Sequence, residues 1–140
     1  MKKNFKIAAK LRSSGLRPTK QRVQIAEFLF ERKKTFHFTV ENLDKLINSR
    51  TQKEKISLAT FYNTVHAFKK AGHLKEILTN NNKNYFDTNI NSHHHFFDLK
   101  NKLLTDINSN EVKLKNVPNA PRGKKIKDIE VIINIENDSQ

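Results

Sequence analysis

The sequence predicts an α+β protein: four helices and a β-hairpin, followed by a small, mainly β second domain. Three observations point there. Apolar residues recur at helical spacing through the first 75 positions and in short strand-like runs afterwards. A hairpin pattern, with the Asn-rich run Asn80–Lys83 at its tip, starts directly after the last helix. Charge divides at the same place: residues 1–75 hold 18 Lys/Arg against 5 Asp/Glu, and residues 76–140 hold 9 of each.

Each element has its own signal. Phe5–Ser14 forms the first helix, stopped by Gly15. Pro18 and Thr19 open the second, which runs through Gln21–Arg32 with Val23, Ala26, Leu29 and Phe30 on one stripe. Thr39 caps the third, with Val40, Leu43 and Leu46/Ile47 inward. Ser57 caps the fourth, Leu58–Ala71, which Gly72 terminates. Leu74–Thr79 and Asn84–Thr88 make the hairpin, so the whole describes a winged helix-turn-helix domain over residues 1–88. In residues 89–140 the expected strands are His93–Leu99, Leu103–Ile107, Glu111–Leu114 and, past Pro118, Pro121 and Gly123, the apolar Ile126–Ile135.

Composition narrows the function. The net charge of +13 sits entirely in the first half, which suits that half to a polyanion. The chain has no Cys, which excludes a disulfide framework and any thiolate-held zinc or iron–sulfur site and fits a reducing cytoplasm. No run of 18 apolar residues exists, so no membrane span is expected. The basic start MKKNFKIAAKLRSSG lacks the continuous apolar stretch of a secretory signal, so the expected location is the cytoplasm.

At 100° per residue, the fourth helix puts Leu58, Phe61, Val65 and Phe68 on a core face. Ala59, Thr60, Asn63, Ala67 and Lys70 fall opposite, a small polar face that suits entry into a major groove. Asn pairs with both edge atoms of adenine, and Thr or Ala methyls touch thymine methyls. Tyr62 lies at the border, where its ring packs and its hydroxyl reaches a phosphate or a base.

The segment SLATFYNTVHAFKKAGHLKE, residues 57–76, resembles the recognition-helix signature of the ferric uptake regulator (Fur) superfamily. GLRPTKQR, residues 15–22, is similar to the opening helix–turn of that family, and its Arg17, Lys20 and Arg22 are candidate DNA contacts. The resemblance implies a dimer, a minor-groove role for Arg17 and a DNA contact for Tyr62. Asn63 stands where many members have Arg, which implies a different target because Arg favours guanine and Asn adenine. With its run YFDTNINSHHHFFD, residues 85–98, and no cysteines, the chain looks most like the iron response regulators (Irr) of α-proteobacteria. It departs from most members in lacking the CxxC pairs that hold a structural zinc. The long helix usual in the dimerisation domain is also replaced by a loop around Asn116–Lys125.

The histidines carry the sensing chemistry. On a strand, His93 and His95 point to one face and His94 to the other, and an HxH pair is a sound chelate. Asp87, Asp106 and His37 are further candidates, and such an imidazole/carboxylate set suits Fe²⁺, Mn²⁺ or Zn²⁺. By the resemblance, the regulatory metal site comprises His37, Asp87, His93, His95 and Asp106, drawn from both sides of the interdomain hinge. Positions of a second family site fall on Ser92, His94 and about Lys113, so a second metal is not expected. The Irr likeness also implies haem at His93, His94 and His95, since His is an ordinary axial ligand.

The expected function is a dimeric DNA-binding repressor that responds to iron status through a metal ion or haem. Its expected partner is an AT-rich palindromic duplex. Two other classes compete: a metal-dependent enzyme built on the same His/Asp cluster, and a non-specific basic nucleic-acid-binding protein. No Gly-rich loop, nucleophile motif or spare general base accompanies the histidines, so an enzyme is not expected.

Overall fold

The computed structural model describes residues 2–50 and 54–139 and divides into two compact units, Met1–Ile90 and Asn91–Gln140. In the first, α1 (Lys2–Ser13) and α2 (Lys20–Phe30) are followed by the short β1 (His37–Phe38). Next come α3 (Val40–Arg50), α4 (Leu58–Lys70), β2 (Lys75–Leu78) and β3 (Asn84–Asp87). The sheet order is β1-β3-β2, all antiparallel. This is a winged helix-turn-helix.

The predicted caps form. Thr19 Oγ1 accepts the Arg22 N–H at 3.2 Å, Thr39 Oγ1 accepts the Asn42 N–H at 3.1 Å, and Ser57 Oγ accepts the Thr60 N–H at 3.1 Å. Each satisfies one of the donors that a helix start leaves unpaired. At the far end of α4, Gly72 has φ +87°, a left-handed turn that lets the His73 N–H reach back to the Phe68 carbonyl.

Leu11, Ile25, Leu29, Leu43, Phe61, Val65 and Phe68 from the helices are fully buried with Phe38 and Phe86 from the sheet. Rings of Phe36, Phe38 and Phe86 stack in series at 5.6 and 5.9 Å, and Phe28 of α2 meets Phe36 edge-on at 6.1 Å, which ties this end of the sheet to the helices. Leu58 departs from expectation: it is 43% exposed. It is the first residue of α4, beyond the edge of the core, whereas Thr64, nearly two turns further along, is buried.

The second unit contains β4 (His94–Asp98), β5 (Leu103–Ile107), a single 3₁₀ turn at Ser109–Glu111 and β6 (Ile132–Ile135). Its order is β5-β4-β6, with β4 antiparallel to β5 and parallel to β6. Glu111–Leu114 forms no strand, because no neighbouring strand offers it a ladder. The expected strand Ile126–Ile135 is formed only from Ile132. Pairing starts where the Val131 carbonyl accepts the His95 N–H, and the preceding stretch carries Lys127, Asp128 and Glu130 without a partner strand. Among the described residues, no helix is long and apolar enough to cross a membrane.

Candidate functional site

Two sets of histidine and carboxylate groups stand out, one in each unit. In the first unit, His37 on β1 and Asp87 on β3 are cross-strand partners. His37 Nε2 lies 3.1 Å from Asp87 Oδ2. The Asp87 carboxylate is fully buried and its Oδ1 accepts the Asn89 N–H at 2.8 Å. A second latch closes beside it: the Phe36 N–H donates to Thr88 Oγ1 at 2.9 Å and the Thr88 N–H to the Phe36 carbonyl at 3.1 Å.

In the second unit, His95 on β4 sits across from Asp106 on β5, and His93 precedes β4 by one residue. Nε2 of His93 and Nε2 of His95 each lie 3.2 Å from the same oxygen, Asp106 Oδ1. The outer nitrogens are fixed as donors: His93 Nδ1–H donates to the Asn91 carbonyl and His95 Nδ1–H to Glu130 Oε1. A neutral imidazole with its proton on Nδ1 has a lone pair on Nε2. Two such nitrogens facing one carboxylate oxygen are placed to share a cation, whether a proton or a metal ion. Two imidazoles and a carboxylate are borderline-to-hard donors, so the set fits a divalent first-row ion. Glu130 escaped the sequence reading: it lies 35 positions from His95, and only the parallel pairing of β6 with β4 brings it there.

His94 points the other way. It is buried, and its Nδ1 accepts the Val131 N–H at 2.9 Å, a bond that pins the start of β6.

The predicted nucleic-acid face is also laid out. On α4, Asn63 is exposed and Tyr62 is 37% exposed, while Thr60 is half-buried and shares a 2.9 Å hydrogen bond with Ser57. Arg17 and Lys20 are exposed, and Arg22 Nη1 donates to the Arg17 carbonyl at 3.2 Å. The Tyr62 hydroxyl donates to Glu41, in the first turn of α3. Sequence spacing gave no hint of that bond across 21 residues. It holds the Glu41 carboxyl below the usual carboxylate range and raises the Tyr62 phenol above its usual value.

A winged helix-turn-helix unit joined to a small β unit with a histidine–carboxylate donor set defines a class of two-unit winged-helix proteins. The model of the ferric uptake regulator family matches residues 13–134, and the chain belongs to that family. Its members are transcription regulators. The chain is similar to the peroxide-responsive repressor PerR of Staphylococcus epidermidis, 30% identical over 99 residues, 71% of this chain and 63% of that protein. It is also similar to PerR of Staphylococcus aureus, 32% identical over 87 residues, 62% of this chain and 56% of that protein. The chain thus spans less than two thirds of the length of these relatives.

Among solved structures it resembles the ferric uptake regulator of Pseudomonas aeruginosa with manganese, with TM-score 0.67 and 20% identity over 92% of this chain and 96% of that one. The Vibrio cholerae ferric uptake regulator has TM-score 0.67 and 21% identity over 93% and 98%. At this identity the likeness establishes the fold.

Proposed function

We propose that the chain is a dimeric, metal-responsive transcription regulator and not an enzyme. The observation that carries this reading is the convergence of His93 and His95 on Asp106, which a DNA-binding fold by itself does not need. Family membership supports the regulatory role, and the manganese in the P. aeruginosa relative supports a divalent ion.

In this reading His37 and Asp87 complete the ligand set of His93, His95 and Asp106 around one Fe²⁺, Mn²⁺ or Zn²⁺. Arg17, Lys20, Arg22, Thr60, Tyr62 and Asn63 contact double-stranded DNA, with an AT-rich palindrome as the target of a symmetric pair. A ligand set drawn from both sides of the hinge lets the ion favour one conformer, the condition for any switch.

The effector reports iron status, as the likeness to the iron response regulators implies. Haem at His93, His94 and His95 is the other ligand that likeness suggests. The bond from Val131 to His94 engages one of the three histidines inside the sheet and favours the bare ion. The names of the staphylococcal relatives favour a second reading, in which the same ion senses peroxide.

Selection of duplexes from a random pool, with and without Fe²⁺ or Mn²⁺, tests the proposal. The expected result is enrichment of one palindrome, affinity that falls steeply with salt, and a metal effect of about tenfold or more. His93→Ala with His95→Ala removes the metal effect and leaves the metal-free binding. Absence of any preference over random competitor overturns the DNA-reading claim. Preference without a metal or haem effect overturns the sensor claim. Release of DNA when the iron-loaded protein meets peroxide selects the second reading, and a Soret band lost in the double variant selects haem.

A further inference from the structure

We propose that Glu41 determines specificity: by holding the proton of the Tyr62 hydroxyl, it makes Tyr62 an acceptor that reads a base amino group and turns it away from phosphate. The proposal rests on the DNA-binding reading above and names how one residue of that face reads sequence.

A phenol hydroxyl has a single proton to donate. In this structure Tyr62 donates it to Glu41, so what its oxygen presents outward is lone pairs. Phosphate oxygens are acceptors only and have nothing to give such an oxygen. On the major-groove edge the available donors are the N6 amino group of adenine and the N4 amino group of cytosine. A carboxylate beside the hydroxyl repels a phosphate as well.

The arrangement is held from several sides. Glu41 lies in the first turn of α3, which Thr39 caps, where the helix dipole favours an anion. The low carboxyl and high phenol values keep this donor–acceptor sense through the neutral range. The His66 ring stacks on Tyr62 with centroids 6.4 Å apart and planes 20° from parallel, which fixes the plane of the phenol. Tyr62, Glu41 and His66 line a cleft of about 350 Å³ together with Asn82, Lys83 and Asn84 at the wing tip. Lys83 lowers the Glu41 carboxyl further through its charge, so the wing leaves the carboxylate in its ionised, accepting form.

A double-mutant cycle tests the proposal with the full chain. Duplexes selected by the wild type are compared with copies in which each preferred adenine or cytosine is replaced. Glu41→Ala is expected to cut discrimination at one such position by roughly 3- to 10-fold, the range of one hydrogen bond. Tyr62→Phe gives the same loss at the same position. Glu41→Ala adds nothing in the Tyr62→Phe background, and Glu41→Gln retains discrimination because its amide oxygen still accepts. Thermal unfolding checks that each variant is folded.

If Glu41→Ala instead tightens binding to every duplex alike, in both backgrounds, Glu41 is only a repelling charge and the proposal fails. If the wild type selects duplexes but the two losses fall at different positions, the proposal also fails while the DNA-binding reading stands. A wild type that selects nothing brings down both.

Discussion

His95 shows what a single residue contributes here. Its ring is buried with a carboxylate at each nitrogen, Asp106 at Nε2 and Glu130 at Nδ1. Glu130 fixes which nitrogen carries the proton and so which one is offered to an ion. Such orienting partners are worth roughly 10–100-fold in metal affinity. Glu130→Gln is therefore expected to weaken Mn²⁺ binding by about that factor in a chelator competition, with the DNA affinity of the metal-free protein unchanged. Unaltered Mn²⁺ affinity would reduce Glu130 to a packing role. The HxH pair and Asp106 were legible in the sequence because strand alternation and a short hairpin bring them together. Glu130 was not, because nothing local encodes the parallel return of β6 to β4.

At the scale of elements, α4 depends on how its ends are tied. Beyond Gly72, His73 places its Nε2 2.8 Å from Ser14 Oγ at the end of α1, with its ring against Phe30 and Phe68. Burial, and then the charge of Lys10, push the His73 imidazole below its ordinary value. The unfolded value is about 6.5, so the unfolded chain takes up the proton first as pH falls. Stability held by neutral His73 is thus fully present above about pH 6.5 and is lost as pH falls through the lower folded value. The difference in Tm between wild type and His73→Gln is expected to shrink between neutral pH and about pH 5. A difference that does not change with pH would contradict the assignment.

The helices were readable from caps and periodicity because those signals are local. Strand β1 was not: two residues carry no pattern, and His37–Phe38 is a strand only because β3 lies beside it. For the same reason Ile126–Val131, apolar enough for a strand, is not one.

At the scale of the whole molecule, the two units are built differently. The first buries a continuous cluster of aliphatic and aromatic side chains. In the second, the buried side chains among the described residues are Phe97, Ile107 and three histidines, while Leu103, Ile126, Ile129, Ile133 and Ile135 are exposed. Apolar surface left uncovered on so small a unit suits a second copy of the chain, as the proposed dimer requires. Ile133→Asp is expected to convert a dimer to a monomer in sedimentation velocity and to weaken binding to the full palindrome far more than to a half-site. A wild type that sediments as a monomer would remove this role for the unit. The charge division pointed to a basic part and a neutral part, not to how each is packed. The thinness of the second core was not forecast, since apolar residues in its sequence look the same whether they face inward or outward.

The histidine-filled interior of the second unit has a thermodynamic consequence. In the proposed reading His93 and His95 are at once interior groups and ligands, so occupancy and cohesion of this unit belong to one equilibrium. Each tenfold rise of free ion above its dissociation constant then adds about 1.4 kcal/mol to the folded side. On that reading the melting of this unit is a gauge of ion concentration, and loss of the ion registers as a loosening of the β unit.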